Sequence, residues 1–435
     1  MKLLMYQSAI YNNKPYYRMA SLQRMMWRTL ALLVLLARPA PGAAQVFGNP
    51  LRHLLRHDTT GLRRVLAHPG AYRLQILYTR IRRDAAGQPH FRRYGYRLRP
   101  REYFYPASAV KLAGAALALE ELRALNAQIP ALTAESVMLT DSAFAGQTRV
   151  RRDTSSATRR PSVANYVRKA LLVSDNDAFN RLYELVGPAE LNAGLRRLGL
   201  HDSRLLHRLA VGDQEPASRH TNPVAFYADT AATQRLYEQP AAFYGGPWPR
   251  LRLRDESIGQ AHLQGSQVVP RPLDFSQKNA FSLPDLQRLL QAVLFPETVP
   301  PARRLRLDPA DYALLREALS QLPRESPHPR YDAGHYPDTY AKFLLGGGGI
   351  APLPPGVRVY NKIGQAYGFL IDNAYIVDAD KGVEFLLSAV LYVNADGILN
   401  DDKYEYDTIG FPFMRDLGRR VYEAECRRAR PSTTK

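Results

Sequence analysis

Residues 72–84 (YRLQILYTRIRRD) alternate apolar and polar side chains, and residues 91–98 do so less cleanly. With the Ala85-Ala86-Gly87 turn between them, they predict an antiparallel hairpin. The period then changes. Residues 109–126 are rich in Ala and Leu, with Leu112, Ala116, Leu119 and Leu122 at helical spacing. Pro161 opens a second predicted helix through Leu172, residues 177–186 form a third with Gly187 as C-cap, and residues 188–198 a fourth closed by Gly199. Residues of about 240–300 carry few long apolar runs and read as an insertion with a hairpin at 257–276. Helices resume at 283–295 and 308–321, and the Pro-, Gly- and Tyr-rich stretch 325–357 reads as a loop. Residues 357–363, 367–378 and 383–394 are β-rich, and 412–427 form a closing helix. Strands at both ends with helices between them predict an α/β (α+β) fold. It is a mostly antiparallel sheet, built from both ends of the chain and flanked by helices, with an inserted all-helical subdomain. The corresponding division is 45–107 with 355–435 for the sheet part and 108–354 for the helical part.

The N-terminus has signal-peptide anatomy: Arg24 and Arg28, an apolar run at 30–37 (LALLVLLA), then Pro39 and small residues ending at Ala44. Eight apolar residues cannot cross a hydrocarbon core of about 30 Å, so residues 1–44 are read as a cleaved leader with Met19, Met25 or Met26 as alternative starts. That predicts an exported protein, periplasmic or extracellular, with no stable membrane span. Cys426 is the single cysteine, which excludes an internal disulfide. Residues 1–44 hold six of the cations and no acid, which leaves +13 of the formal +19 on the rest. Such a surface can attract nucleic acid or an anionic envelope. No recognition module or basic helix interleaved with aromatics accompanies it, so no nucleic-acid partner is expected. The histidines lack metal spacing, and neither metal nor cofactor is expected.

The cations are unevenly divided: ten are Lys and 49 are Arg. A lysine in this chain therefore carries information, because Lys readily gives up its proton and Arg does not. Three short elements use that chemistry. In Tyr105-Pro106-Ala107-Ser108-Ala109-Val110-Lys111, at a predicted helix start, Ser108 and Lys111 stand at i and i+3 and share a face. A desolvated Lys there can take the serine proton. Ser174-Asp175-Asn176 lies between two helices and can offer a hydroxyl and an amide to a cleft, although each of its residues also suits a helix N-cap. Asn361-Lys362-Ile363-Gly364-Gln365 lies on a strand, whose edge can present an N–H to an oxyanion. Each is weak alone.

In this order, S-x-x-K, S-D-N and K-x-G together resemble the motif set of class A β-lactamases and penicillin-binding proteins. The resemblance covers roughly residues 60–225 and 355–425, and it implies a β-lactamase/transpeptidase-like fold without a cofactor. It implies Ser108 as acylated nucleophile, Lys111 as its base, Ser174 as proton shuttle and Lys362 as support for Ser174 and a substrate carboxylate. Asn176 would contact the substrate's side-chain amide, Gly364 would lie in the binding strand, and the N–H groups of Ser108 and Gln365 would form the oxyanion hole. The substrate would be a β-lactam or a peptidoglycan-type amide or ester, handled by a monomer.

Two departures stand out. Ile363 replaces the hydroxyl residue of K-T-G, and a lost hydrogen bond to a charged group costs about 1.5–3 kcal/mol. The Glu that activates water for deacylation falls on Leu206 when read back from His220-Thr221-Asn222-Pro223. Asp213 and Glu215 are the nearby acids that could serve as base in another geometry, and both also fit as solvated loop residues. A non-catalytic envelope- or peptidoglycan-binding protein that keeps the fold is the alternative reading.

Overall fold

Two strands from the start of the chain, β1 (Gln75–Arg83) and β2 (Pro89–Tyr96), meet three from its end: β3 (Val357–Ala366), β4 (Phe369–Asp378) and β5 (Val383–Tyr392). They form one antiparallel sheet in the order β3-β4-β5-β1-β2, in which Gln75 of β1 pairs with Val390 of β5. The computed structural model describes residues 48–56, 61–211 and 215–429. The leader read from residues 1–44 and the acid Asp213 lie outside them.

The period of two along these strands feeds two cores. Leu77, Ile81, Ile371, Leu386 and Val390 join the helical side, whereas Ile76, Tyr78, Leu370, Phe385, Leu387 and Ala389 join the other face. The central strands are buried on both faces, which is why β4 and β5 read as nearly continuous apolar runs. The helices of ten or more residues are α1 (Lys111–Asn126), α2 (Val163–Leu172), α3 (Asn176–Val186), α4 (Pro188–Arg197), α5 (Leu283–Leu294), α6 (Pro309–Ser320) and α7 (Phe411–Ala429). Helix α1 is buried on nearly every side through its first nine residues, as befits an Ala- and Leu-rich helix inside the helical part. Ser162, Asp175, Ser282 and Asp308 cap α2, α3, α5 and α6 through side-chain oxygens that accept helix N–H groups.

The inserted part also carries strands. Val137–Thr140, Val224–Tyr227 and Arg235–Gln239 form a three-stranded sheet whose members are too short to print a period. The hairpin expected at 257–276 is a nested pair, Ser257–Ile258 on Leu273–Asp274 and Ala261–Gln264 on Gln267–Val269. Nor does a single strand run from residue 367. Tyr367 and Gly368 have φ of +52° and +80°, and they form the two-residue turn between β3 and β4. None of the described helices is long and apolar enough to cross a membrane.

Helix α7 closes the second core. Near its middle, a Cβ on Gly418 would lie 2.6 Å from the Leu345 backbone nitrogen. Near its end, buried Glu425 accepts hydrogen bonds from Tyr78 Oη and from Arg80 Nε at 3.2 Å. Gly418→Ala is expected to push the helix off the 344–345 backbone and destabilise the protein by about 1–3 kcal/mol. Urea unfolding of the variant against the wild type measures this, and an unchanged midpoint would contradict the close approach.

Candidate active site

The segment before α1 winds more tightly than a helix start. Ala107–Val110 form a 3-10 turn entered by Ala107 at φ +45°, and the Lys111 N–H bonds the Ser108 carbonyl. Pro106 therefore precedes the turn instead of sitting in the first turn of an α-helix. The i, i+3 relation of Ser108 and Lys111 persists, because that spacing is the hydrogen-bond period of a 3-10 turn. Ser108 is half-buried, and neither its Oγ nor its N–H has a hydrogen-bond partner among the described residues.

Lys111 is fully buried. Its Nζ donates to the Ser174 carbonyl oxygen, to Ser174 Oγ at 3.2 Å and to Asn176 Oδ1 at 2.7 Å. Lys362 arrives from the sheet, and its Nζ donates to the same Ser174 Oγ at 2.9 Å and to the Ile363 carbonyl at 3.1 Å. Burial pushes the Lys111 ammonium down to about 7, against the opposing pull of Asp175. Burial, and then the charge of Lys111, drive Lys362 well below the ordinary lysine range. Ser174 itself holds φ +63°, a left-handed conformation that aims its hydroxyl between the two amines while Asp175 caps α3. The S-D-N segment thus serves both readings at once: Asp175 is the cap, and Ser174 and Asn176 face Lys111.

Strand β3 is one of the two edges of the sheet. The two-residue turn makes Ala366 and Phe369 the hydrogen-bonded closing pair, so Gln365, Ile363, Asn361 and Val359 turn their backbone groups off that edge. The Ile363 carbonyl engaged by Lys362 fits this alternation. The Gln365 N–H points the same way, beside the 3-10 turn that packs on this strand. Gly364 permits the packing, since a Cβ there would lie 2.4 Å from the Pro106 carbonyl oxygen and 3.2 Å from the Ala109 nitrogen.

The loop that follows α4 is held by three buried asparagines. Asn192 accepts from Leu205 N–H and donates to its carbonyl, at 3.0 and 2.7 Å. Asn279 accepts from the Leu206 and His207 N–H groups at 2.7 and 3.2 Å and donates to the His207 carbonyl at 3.0 Å. Asn180 clamps Leu209 in the same way, at 2.8 and 2.9 Å. Leu206 is buried, with no carboxylate at this position. Glu215 is placed poorly for a base: it is half exposed, Oε2 accepts from Arg219 at 2.9 Å, and Oε1 accepts from the Trp248 ring N–H. Those two bonds, Arg219 first, hold its carboxyl below the usual range.

Sequence reasoning missed a third buried lysine. Lys342 Nζ donates to the carbonyls of Leu319 and Val359 at 2.8 and 3.0 Å and to Asn361 Oδ1 at 2.7 Å. Asn361 Nδ2 donates to Asp372 Oδ1 at 2.8 Å, and Asp372 also receives the Leu344 N–H at 2.9 Å. Burial pulls Lys342 down to about 7 and lifts Asp372 to about 6. The scarcity of Lys in the chain was the available signal for this residue.

Residues 91–243 match the β-lactamase enzyme family. The match includes Ser108, Lys111 and Ser174; Lys362 reaches the site from outside it. Solved structures similar to it include the β-lactamase from Desulfarculus baarsii DSM 2075, at 19% identity over 85% of this chain and 96% of that one, with TM-score 0.45. The β-lactamase from Streptomyces albus G is 16% identical over 84% and 98%, with TM-score 0.43. PBP-A is 16% identical over 87% and 96%, with TM-score 0.46. No match was found among curated proteins.

Gly364→Ala is expected to force the 3-10 turn off β3 and destabilise the protein by about 1–3 kcal/mol. Thermal unfolding of the variant against the wild type checks this; an unchanged midpoint would contradict the close packing of the turn on the strand.

Proposed function

We propose that this chain is an exported serine hydrolase of the class A β-lactamase type. It acylates Ser108 with a β-lactam or a peptidoglycan-like amide or ester, and it deacylates slowly. The observation that carries the reading is the shared hydroxyl: Ser174 Oγ takes hydrogen bonds from two buried lysines, one of which lies one 3-10 turn after Ser108.

In this reading neutral Lys111 removes the Ser108 proton as Oγ attacks the carbonyl carbon. The oxyanion forms between the N–H groups of Ser108 and Gln365, two donors that the close packing at Gly364 supports as neighbours. The C–N bond then breaks: Ser174 passes its proton to the leaving nitrogen and takes from Lys111 the proton that came from Ser108, which leaves Lys111 neutral again, while Lys362 keeps its hydrogen bond to the hydroxyl oxygen. Asn176, now bonded to Lys111, turns to the substrate amide. Water finally cleaves the ester, giving the free acid and restoring Ser108. Leu206 supplies no base for that last step, and Glu215 is tied to Arg219 and Trp248, which supports a long-lived acyl-enzyme. The same two features favour a second reading, a non-catalytic envelope- or peptidoglycan-binding protein that keeps the fold and is not acylated.

Intact-protein mass after incubation with a fluorescent penicillin separates the readings. A stable adduct on the wild type and none on Ser108→Ala is the expected result. Rapid nitrocefin hydrolysis without an adduct would defeat slow deacylation. Neither adduct nor turnover, with an activated ester included, would defeat the enzymatic reading.

The pH dependence follows from Lys111. A base must be neutral to act, and its amine is held down at about 7. The acylation rate is therefore expected to rise with pH through 7 and to level off well below the ordinary lysine range. Lys111→Arg, which keeps a proton throughout, should lose about 100- to 10,000-fold at every pH. A profile that climbs steadily to pH 10 would assign the base elsewhere.

A further inference from the structure

At the opposite edge of the sheet lies a solvent-open cavity of about 550 Å³, between β2, α5, the turn after α4 and residues 298–303. Four strand spacings of about 4.8 Å separate β2 from β3, so this cavity is about 19 Å across the sheet from the strand of Lys362.

Three guanidinium groups line it: Arg93 from β2, Arg288 from α5, and Arg303. Their partners fall short of their charge. Arg93 donates to the neutral Gln291 Oε1 at 2.7 Å and meets no carboxylate among the described residues. Arg303 has neither a hydrogen-bonded side-chain partner nor an ion pair among them. Arg288 is paired with Asp285 at 2.6 Å, whose other oxygen is already engaged by Ser203 and the Asp202 N–H. Asp202 is the one carboxylate in the lining. Burial, and then the charge of Arg288, disfavour the protonated form of Arg93.

The groups are also oriented. Gln291, while accepting from Arg93, donates to Thr298 Oγ1 at 3.3 Å, so one amide fixes one arm of the Arg93 fork and leaves its other N–H groups free. Arg303 lies against the turn at Gly199, where a Cβ would come within 3.2 Å of its Cδ and 3.3 Å of Nη1. The floor is apolar, made by Leu198, Leu289 and Ala292, which are all buried. Guanidinium forks chelate oxyanions, and a concave site of this size suits a small organic molecule.

We propose that this cavity binds a small organic anion: a phosphate or carboxylate head held by Arg93, Arg288 and Arg303, and an apolar body on the Leu198–Leu289–Ala292 floor. The site is independent of acyl transfer at Ser108.

Isothermal titration of the full chain with phenyl phosphate, 3-phenylpropanoate and inorganic phosphate tests it. One of the two organic anions should bind saturably at one site with a Kd of about 1 mM or tighter and at least about tenfold tighter than inorganic phosphate. Whichever binds better identifies the head group. Arg93→Gln and Arg303→Gln should each weaken binding about tenfold or more. Arg92→Gln, the next residue on β2 and so on the opposite face of the strand, should leave it unchanged. All three are surface changes, and thermal midpoints confirm folding. Saturation by neither organic anion, inorganic phosphate binding as tightly as both, or equal loss in the Arg92 variant would overturn the proposal; the last would reduce it to general surface charge.

Discussion

Two lysines are buried around one serine hydroxyl, and the rest of the molecule is arranged so that this can be. A hydroxyl has one proton and two lone pairs. With Lys111 and Lys362 both donating to Ser174 Oγ, both lone pairs are occupied and its own proton is free to move. Two ammonium groups this close and this dry repel each other, so at least one gives up its proton near neutrality. The three segments that create this conflict come from residues 108–111, 174–176 and 361–365. No local sequence could hold it: it takes the 3-10 turn, the cap of α3 and the edge of the sheet.

That dependence explains where the backbone is unusual. Ala107 and Ser174 adopt left-handed φ on either side of Lys111, conformations that cost energy for non-glycine residues and persist only under firm packing. Gly364 has no side chain because the Pro106 carbonyl occupies the space where one would go. The asparagine clamps at 180, 192 and 279 fix the loop of Leu206 through its backbone, so its course does not depend on which side chain stands at 206.

The large elements could be read from the sequence because their periods are long. The hairpin of β1 and β2, helices α1 to α6 and the final three strands with α7 each carry enough turns or alternations to be seen. The strands at 137–140, 224–227 and 235–239 could not be read this way, being four or five residues long. The grouping of Lys111, Ser174 and Lys362 was legible through order and residue type, since Lys is rare here. Lys342 had the same signal, but its partners are two carbonyls and an amide far away in sequence. The asparagines were invisible for a related reason: their role is to complete the hydrogen bonds of remote backbone, and nothing in the neighbouring residues marks that. The cavity at β2 needed the fold outright, because its three arginines lie at 93, 288 and 303.

The groups along β3 have one more effect. An exposed edge strand offers unpaired N–H and C=O groups to any other sheet, which is how β proteins come to aggregate. Here the Val359 carbonyl is taken by Lys342, the Ile363 carbonyl by Lys362, and the approach to Gly364 is blocked by the 3-10 turn. The polar groups around Lys111, Ser174 and Lys362 therefore also shield this edge of the sheet from pairing with copies of itself. A variant stripped of these lysines would risk not just a chemical group but the solubility of the whole chain.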